Sequence, residues 1–240
     1  MGSAREVFKP GKNREGYFTN EDILAQAATA MDILDRDYPG MRHVFAYDNA
    51  TTHLKRAVNA VSASKMTMKA SAKLRFTAIN TDGTEQHNLK MDDGTFADGT
   101  TQHFYLADDH PTMPGYFKGM CAIIEERRLH GHDLPDPTKL WAQCKNFKCA
   151  PGSTHCCCRR VLYSEPDFSG TRSALERMCS ARGYKVVFFP KFHCELNFIE
   201  QAWGYAKHLY REYPASSIEA DLERNAVTAV DSVPLDSIRQ

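Results

Sequence analysis

Nowhere in the 240 residues is there an apolar run of the roughly 18 residues that a membrane-crossing helix needs, so no such span is expected. The opening MGSAREVFK has no apolar core of the kind a secretion signal carries, and Glu6 stands where a myristoylation pattern needs Ser or Thr. An intracellular setting, nuclear or cytoplasmic, is the expectation. Net charge is missing too, since 30 Lys and Arg balance 30 Asp and Glu. A nucleic-acid partner would have to be held by local basic patches, or by a segment outside this chain. Cysteine is plentiful, but its pattern excludes an ordinary disulfide framework: of eight, three are consecutive at Cys156, Cys157 and Cys158. In a chain without a secretion signal, such crowding points to metal or free thiols. A composition of 42% hydrophobic and 25% charged residues is that of a globular protein, long enough for one large domain or a domain carrying an insertion.

Periodicity predicts a helix from Asn20 to Asp37, capped by Thr19 or Asn20, with Leu24, Ala27, Ala28, Met31 and Leu34 on one face. HVFAY (43–47) reads as a short strand ending at Asp48-Asn49, and a helix with Leu54, Ala57, Val58 and Val61 buried is expected from Thr51. From Lys73 to Asp108 the pattern becomes alternating, punctuated by Asp-Gly-Thr triplets that begin at Asp82, Asp93 and Asp98. Asp-Gly between alternating runs signals hairpins. An acidic calcium-binding ladder is absent, so turn chemistry accounts for the triplets. A further helix is expected over 171–182, stopped by Gly183, then a buried strand in YKVVFF (184–189). A helix should run from Asn197 to about Glu212, and a last one from Ser216 with a capping box to Glu219 and Leu222, Ala226, Ala229 and Val233 inward. Strands alternating with helices at both ends imply an α/β core with the middle of the chain inserted into it.

Asp48 and Glu200 each follow a strand, and ligands of α/β sheets gather at strand carboxyl ends. Two carboxylates brought together there repel unless a proton or a cation bridges them. Paired divalent ions on such carboxylates promote phosphodiester cleavage, and hard oxygen donors favour Mg²⁺ or Mn²⁺. Each residue also has a plainer reading. Asp48-Asn49 can start a turn and cap a helix, and Glu200 can close a capping box with Asn197.

YDNATTH (Tyr47 to His53) resembles the second-aspartate motif of mariner-like DDE transposases, and PKFHCELNFIEQAWGYAK (Pro190 to Lys207) is similar to their proline-loop and third-carboxylate motif. The two occur in the family's order, and the match covers roughly 43–60 and 184–235. The resemblance implies an RNase H-like fold, a mixed sheet flanked by helices, with Asp48 and Glu200 as metal-binding catalytic carboxylates. By the same resemblance Asn49 and His53 flank the metal site, and Asn197, Trp203 and Lys207 shape the last helix of the motif. Trp203 shares a face with Ile199, so core packing is expected of it rather than DNA contact. The stretch between the two carboxylates is several times the family's usual gap, and the family's first aspartate has no counterpart on an earlier strand. The expectation is therefore a fragment that begins after that aspartate and has little or no activity. Three segments follow: 1–65 and 169–240 as the two parts of the core, and 66–168 as an insertion of hairpins and a cysteine-rich knob.

Cys144, Cys149, Cys156 and Cys158 are the candidate zinc ligands, with Cys157 or His155 as substitutes. Zinc takes four such donors tetrahedrally, although the spacing is not that of a standard finger. The plainer reading is reduced, packed thiols. Lys145, Lys148, Arg159 and Arg160 surround the cluster and can either meet DNA phosphates or simply face solvent. A cysteine hydrolase built on Cys194 and His193 is disfavoured, because sequence neighbours rarely converge as nucleophile and base. The sequence thus points to metal-dependent DNA cleavage and strand transfer, with transposon ends and target DNA as partners, no membrane, and room for a homodimer. The alternative is a non-catalytic zinc- and DNA-binding protein of the same descent.

Overall fold

Thr19 begins the first helix by a reciprocal cap. Its hydroxyl accepts from the Asp22 backbone N–H while the Asp22 carboxylate accepts from the Thr19 N–H. A computed structural model describes residues 3–79, 84–193, 196–234 and 236. The helices are α1 (Asn20–Asp37), α2 (Met120–Leu129), α3 (Cys158–Ser164), α4 (Pro166–Ser169), α5 (Ala174–Ala181), α6 (Phe198–Glu212) and α7 (Glu219–Asp231). The strands are β1 (Val44–Tyr47), β2 (Phe76–Ile79), β3 (Glu85–Leu89), β4 (Gly94–Thr95), β5 (Thr101–Gln102) and β6 (Lys185–Phe188). The chain is mixed α/β, but its described strands form three two-stranded sheets, not one mixed sheet. Among the described residues no helix is long and apolar enough to cross a membrane.

Two compact units emerge. One comprises Met1–Pro39 with Leu54–Met178, the other Gly40–His53 with Cys179–Gln240. The 66–168 segment expected as an insertion lies within the first unit and supplies most of its core. Met91, Phe104, Phe117, Met120, Ile123, Ile124, Val161, Leu162 and Phe168 pack there with Val61 and Met66. Both antiparallel pairs, β2–β3 and β4–β5, lie in this unit; the triplet at Asp93 is not the turn expected, since its Gly94 and Thr95 form β4 itself. At the tip of β4–β5, Asp98 accepts from the Thr100 N–H and hydroxyl, and Gly99 takes a positive φ. That is turn chemistry. The triplet beginning at Asp82 falls outside the described residues.

The helix expected from Thr51 does not form beyond one turn. Its backbone carbonyls are claimed by distant partners: Lys55 O by the Ala174 N–H, Val58 O by Lys65 Nζ, and Asn59 O by the Asp92 N–H. Tertiary bonds here override local propensity.

Gly119 caps α2 at φ 92°, and a Cβ there would lie 2.5 Å from the Lys69 carbonyl carbon. Gly119→Ala therefore meets rigid backbone as well as an unfavourable dihedral, and a loss of about 2–3 kcal/mol is expected in denaturant unfolding. An unchanged midpoint would show that the 68–69 backbone yields.

α2 also carries a buried cation. Arg127 is fully buried and donates to Gln102 Oε1 (2.8 Å), to Glu165 Oε2 (2.9 Å) and, in a two-pronged pair, to Asp167 (3.0 and 2.6 Å). Burial alone would lower its pKa, but the hydrogen bonds and charges of Asp167 and Glu165 raise it instead. His132 completes the network. Its Nε2 accepts from the Ala97 N–H, so Nδ1 carries the proton and donates to Glu165 (2.7 Å).

In the second unit β1 and β6 pair in parallel, with Tyr47 beside Phe188. Both strands alternate exposed and half-buried residues, so YKVVFF is not the buried strand expected: Lys185 and Val187 face outward, as Val44 does in β1. α6 buries Ala202 and Ala206 but leaves Ile199 and Trp203 nearly half exposed, which overturns the core role expected of Trp203. The small-residue stripe, not the aromatic one, is the packed face. α7 begins at Glu219, later than expected. Ser216 Oγ donates to Asp221 instead of closing a box with Glu219, and of the four residues expected inside only Ala229 is buried.

Candidate functional site

The parallel pairing of β1 with β6 makes both strands end at one edge. Asp48 leaves that edge directly after β1, and the Pro190 loop leaves it directly after β6. Asn49 ties the two exits together, its Nδ2 donating to Phe189 O at 3.3 Å. Asp48 turns back on itself. One carboxylate oxygen accepts from the Ala50 N–H (3.2 Å) and from His53 Nδ1 (2.5 Å), whose ring lies 4.9 Å from that of Tyr47. His53 Nδ1 therefore carries the proton, and the second oxygen of Asp48 stays open to solvent. Asp48 thus starts a turn, as its plainer reading has it, but caps no helix. Burial, with Cys179 adding to it, pushes the Tyr47 phenol up to about 12, so this neighbour of the rim remains neutral.

Glu200 stands in the first turn of α6, exposed; its backbone N–H donates to Asn197 O at 2.9 Å, and no side-chain hydrogen bond or ion pair is seen for it among the described residues. It does not close a capping box, because Asn197 makes no side-chain cap bond. Lys207 is exposed two turns further along. Cys194 and Glu195 lie outside the described residues. Asp48, His53 and Glu200 do not come together as a three-ligand group among the described residues.

Sequence reasoning missed two features of this rim. The Asn49 side-chain oxygen is buried and unpartnered. Such a group is uncommon and marks a place where a further donor or cation would be welcome. Phe192 is almost wholly exposed at φ 66°, beside an open hollow of about 330 Å³ lined by Asn49, Pro190, Lys191 and His193. Neither left a pattern in the residue spacing. Only a fold that joins Asn49 to the loop after β6 makes them visible.

The cysteine cluster is a closed site. Cys144, Cys149, Cys156 and Cys157 bring their sulfurs within 4.8 Å of one another. A zinc ion with sulfurs at about 2.3 Å sets them about 3.8 Å apart, so small closing movements suffice. Cys144 Sγ already lies 3.5 Å from Cys156 Sγ. Four thiols of this geometry can hold a metal ion such as zinc. Their acidities are divided. Bonding from Ser153 lowers Cys156 to about 7, while Cys144, hydrogen-bonded to Cys156, is pushed up to about 12.

The expected ligand Cys158 is not in the group. Cys157 takes its place. Cys158 is the first residue of α3, fully buried in the core, with its sulfur 3.9 Å from Pro137 O. The chain turns from the extended Cys157 into α3 at Cys158, and the sulfurs of Cys156 and Cys157 join the cluster while that of Cys158 is buried in the core. His155, the other substitute, is exposed and outside the group. All seven described cysteines are free thiols.

No family model, no curated protein and no solved structure matches the chain.

Proposed function

We propose that the second unit derives from the RNase H-like catalytic core of a mariner-like DDE transposase and acts in metal-dependent cleavage and transfer of DNA strands. The observation that carries this reading is the β1–β6 register, which sends the two resembling motifs, YDNATTH and PKFH, out of one sheet edge. Asp48 and Glu200 are the metal-binding carboxylates in this reading, with Mg²⁺ or Mn²⁺ as cofactor. A bound pair of such ions would activate the attacking oxygen and stabilise the leaving one. The chain's own contribution is positional. His53 donates to one oxygen of Asp48 and fixes the carboxylate's rotation, leaving the other oxygen outward. Asn49 holds the loop after β6 to the same edge. DNA is the partner, and a nuclear or cytoplasmic setting goes with it.

Nicking of supercoiled plasmid in Mg²⁺ or Mn²⁺ tests the proposal. Activity should fall about 100-fold or more in both Asp48→Asn and Glu200→Gln, the loss of several kcal/mol of transition-state stabilisation. Nicking that survives both substitutions would end the assignment of these carboxylates.

One observation favours a second reading, a non-catalytic zinc- and DNA-binding protein of the same descent. The four thiols are gathered within ligand range, whereas among the described residues no group of three ligands includes Asp48 or Glu200. The described parallel sheet also has two strands only, so no third strand end adds a carboxylate to that edge. Stoichiometric zinc without Mn²⁺ binding or nicking would select this alternative.

A further inference from the structure

From Pro137 to Ser164 the chain has no Asp or Glu, although acidic residues make up 30 of its 240 positions. The same stretch carries Lys139, Lys145, Lys148, Arg159 and Arg160. Four thiolates around Zn²⁺ would leave a charge of −2, which these five cations outweigh. Arg160 and Cys149 line the same hollow, so part of that compensation is local. The surface around the cysteine centre is therefore basic even with the metal bound.

It is also aromatic. Trp141, Phe147 and Tyr163 are 81%, 64% and 53% exposed. The Arg159 guanidinium lies 5.1 Å from the Phe147 ring, and that of Arg160 lies 5.1 Å from the Tyr163 ring. Phe147, Tyr163, Arg159, Arg160, Gln143 and Cys149 line a shallow hollow of about 170 Å³. Sites that enclose drug-sized ligands run to roughly 300–1,000 Å³. This one suits a flat group laid against its walls.

Backbone strain supports a role for Phe147. Asn146 and Phe147 both adopt left-handed dihedrals (φ 53° and 58°) in the turn between Cys144 and Cys149. For a bulky residue such a conformation costs on the order of 1–3 kcal/mol, and glycine would adopt it freely. The turn instead holds an aromatic ring in solvent.

We propose that this face binds single-stranded nucleic acid, unstacked bases lying against Phe147 and Tyr163 while Arg159, Arg160, Lys145 and Lys148 meet the phosphates. Base–aromatic stacking beside cations that follow the backbone is how strands are held without sequence preference. A duplex hides its base faces and would offer only phosphates. The inference rests on the cysteine-centre reading and is independent of the carboxylate rim.

The test uses the full chain purified with zinc and anisotropy of short labelled oligo(dT), oligo(rU) and a duplex of equal length, with zinc content measured on every sample. Tighter binding of strand than duplex is expected, with a log–log salt slope of about −2 to −3 for three or four phosphates. Phe147→Ala and Tyr163→Ala should each weaken strand binding roughly 5- to 100-fold at unchanged zinc content. The preferred oligonucleotide assigns the strand as DNA or RNA. Equal affinity for duplex, insensitivity to both substitutions, or capture of poly-glutamate instead of either strand would overturn the proposal. A zinc-free chain whose strand binding still falls with Phe147→Ala would keep the groove and remove the zinc. A zinc-loaded chain that binds no strand would do the reverse.

Discussion

Cys157→Ser should leave the chain without zinc, whereas Cys158→Ser should leave the zinc in place. The two residues are neighbours, yet their environments are opposite. The Cys157 sulfur belongs to the tetrad, and losing one of four thiolates breaks a closed tetrahedral site. Zinc in such sites contributes about 10–16 kcal/mol in isolated finger peptides, so a chelator should destabilise the first unit of the wild type markedly. The Cys157→Ser chain should already be as labile as the chelated wild type. The Cys158 sulfur lies in the core, where burial pushes its thiol up to about 12 and disfavours the thiolate a metal requires. Cys158→Ser should cost about 1–3 kcal/mol by placing a hydroxyl among apolar neighbours, at unchanged metal content. Metal analysis after dialysis, paired with thermal unfolding, separates the two. Zinc lost from Cys158→Ser and retained by Cys157→Ser would invert the ligand set.

Arg127→Met is the second large effect. It removes the cation and leaves Glu165 and Asp167, with side chains 12% exposed, facing each other's charge without a counter-ion. Breaking a buried pair in this way costs about 3–5 kcal/mol. At about 1.4 kcal/mol per tenfold, hydrogen-exchange protection of the α2 amides should fall by roughly two to four powers of ten. The cost arises mainly from the stranded carboxylates, so the triple variant Arg127→Met, Glu165→Gln, Asp167→Asn should recover most of it. Both amides keep an oxygen for the Thr95 N–H and His132 Nδ1–H donors. If the triple variant were no better than Arg127→Met, packing would outweigh charge here: the arginine stem and its guanidinium, 5.2 Å from the Phe168 ring, would account for most of the loss.

The elements of the second unit were legible wherever a single period ran uninterrupted. β1, β6 and α6 lie within a residue or two of expectation because short apolar runs ending at turn residues mark the strands and an unbroken helical period marks α6. The helix missing after Thr51 had the right period, but its carbonyls bond to residues that sequence spacing cannot bring near, such as Ala174 and Asp92. Much the same holds for Cys156–Cys158. Crowded thiols announce a metal site, but which of two neighbours faces it depends on the phase at which α3 begins. Arg127 was invisible for another reason. An arginine in the charged run Glu125-Glu126-Arg127-Arg128 looks solvated, and only the folding of β4, β5 and α4 around it closes off water. The outward side of α6 was misread because Ile199 and Trp203 share a face and look like a core stripe, whereas Ala202 and Ala206 permit the closer approach. The motifs brought Asp48 and Glu200 to attention. Their joint role remains the part that plasmid nicking decides.

β1 and β6 have a consequence for how the protein is made. Asn49 and Phe189, which bond at the ends of these strands, are 140 positions apart in the chain. At about 5–20 residues per second, β1 emerges from the ribosome roughly seven to thirty seconds before its partner exists. During that interval Val44–Tyr47 is an unpaired strand edge, and the stretch that separates it from β6 can begin folding first. Such delayed pairing slows maturation and favours holding of the nascent chain by chaperones until synthesis passes Phe188.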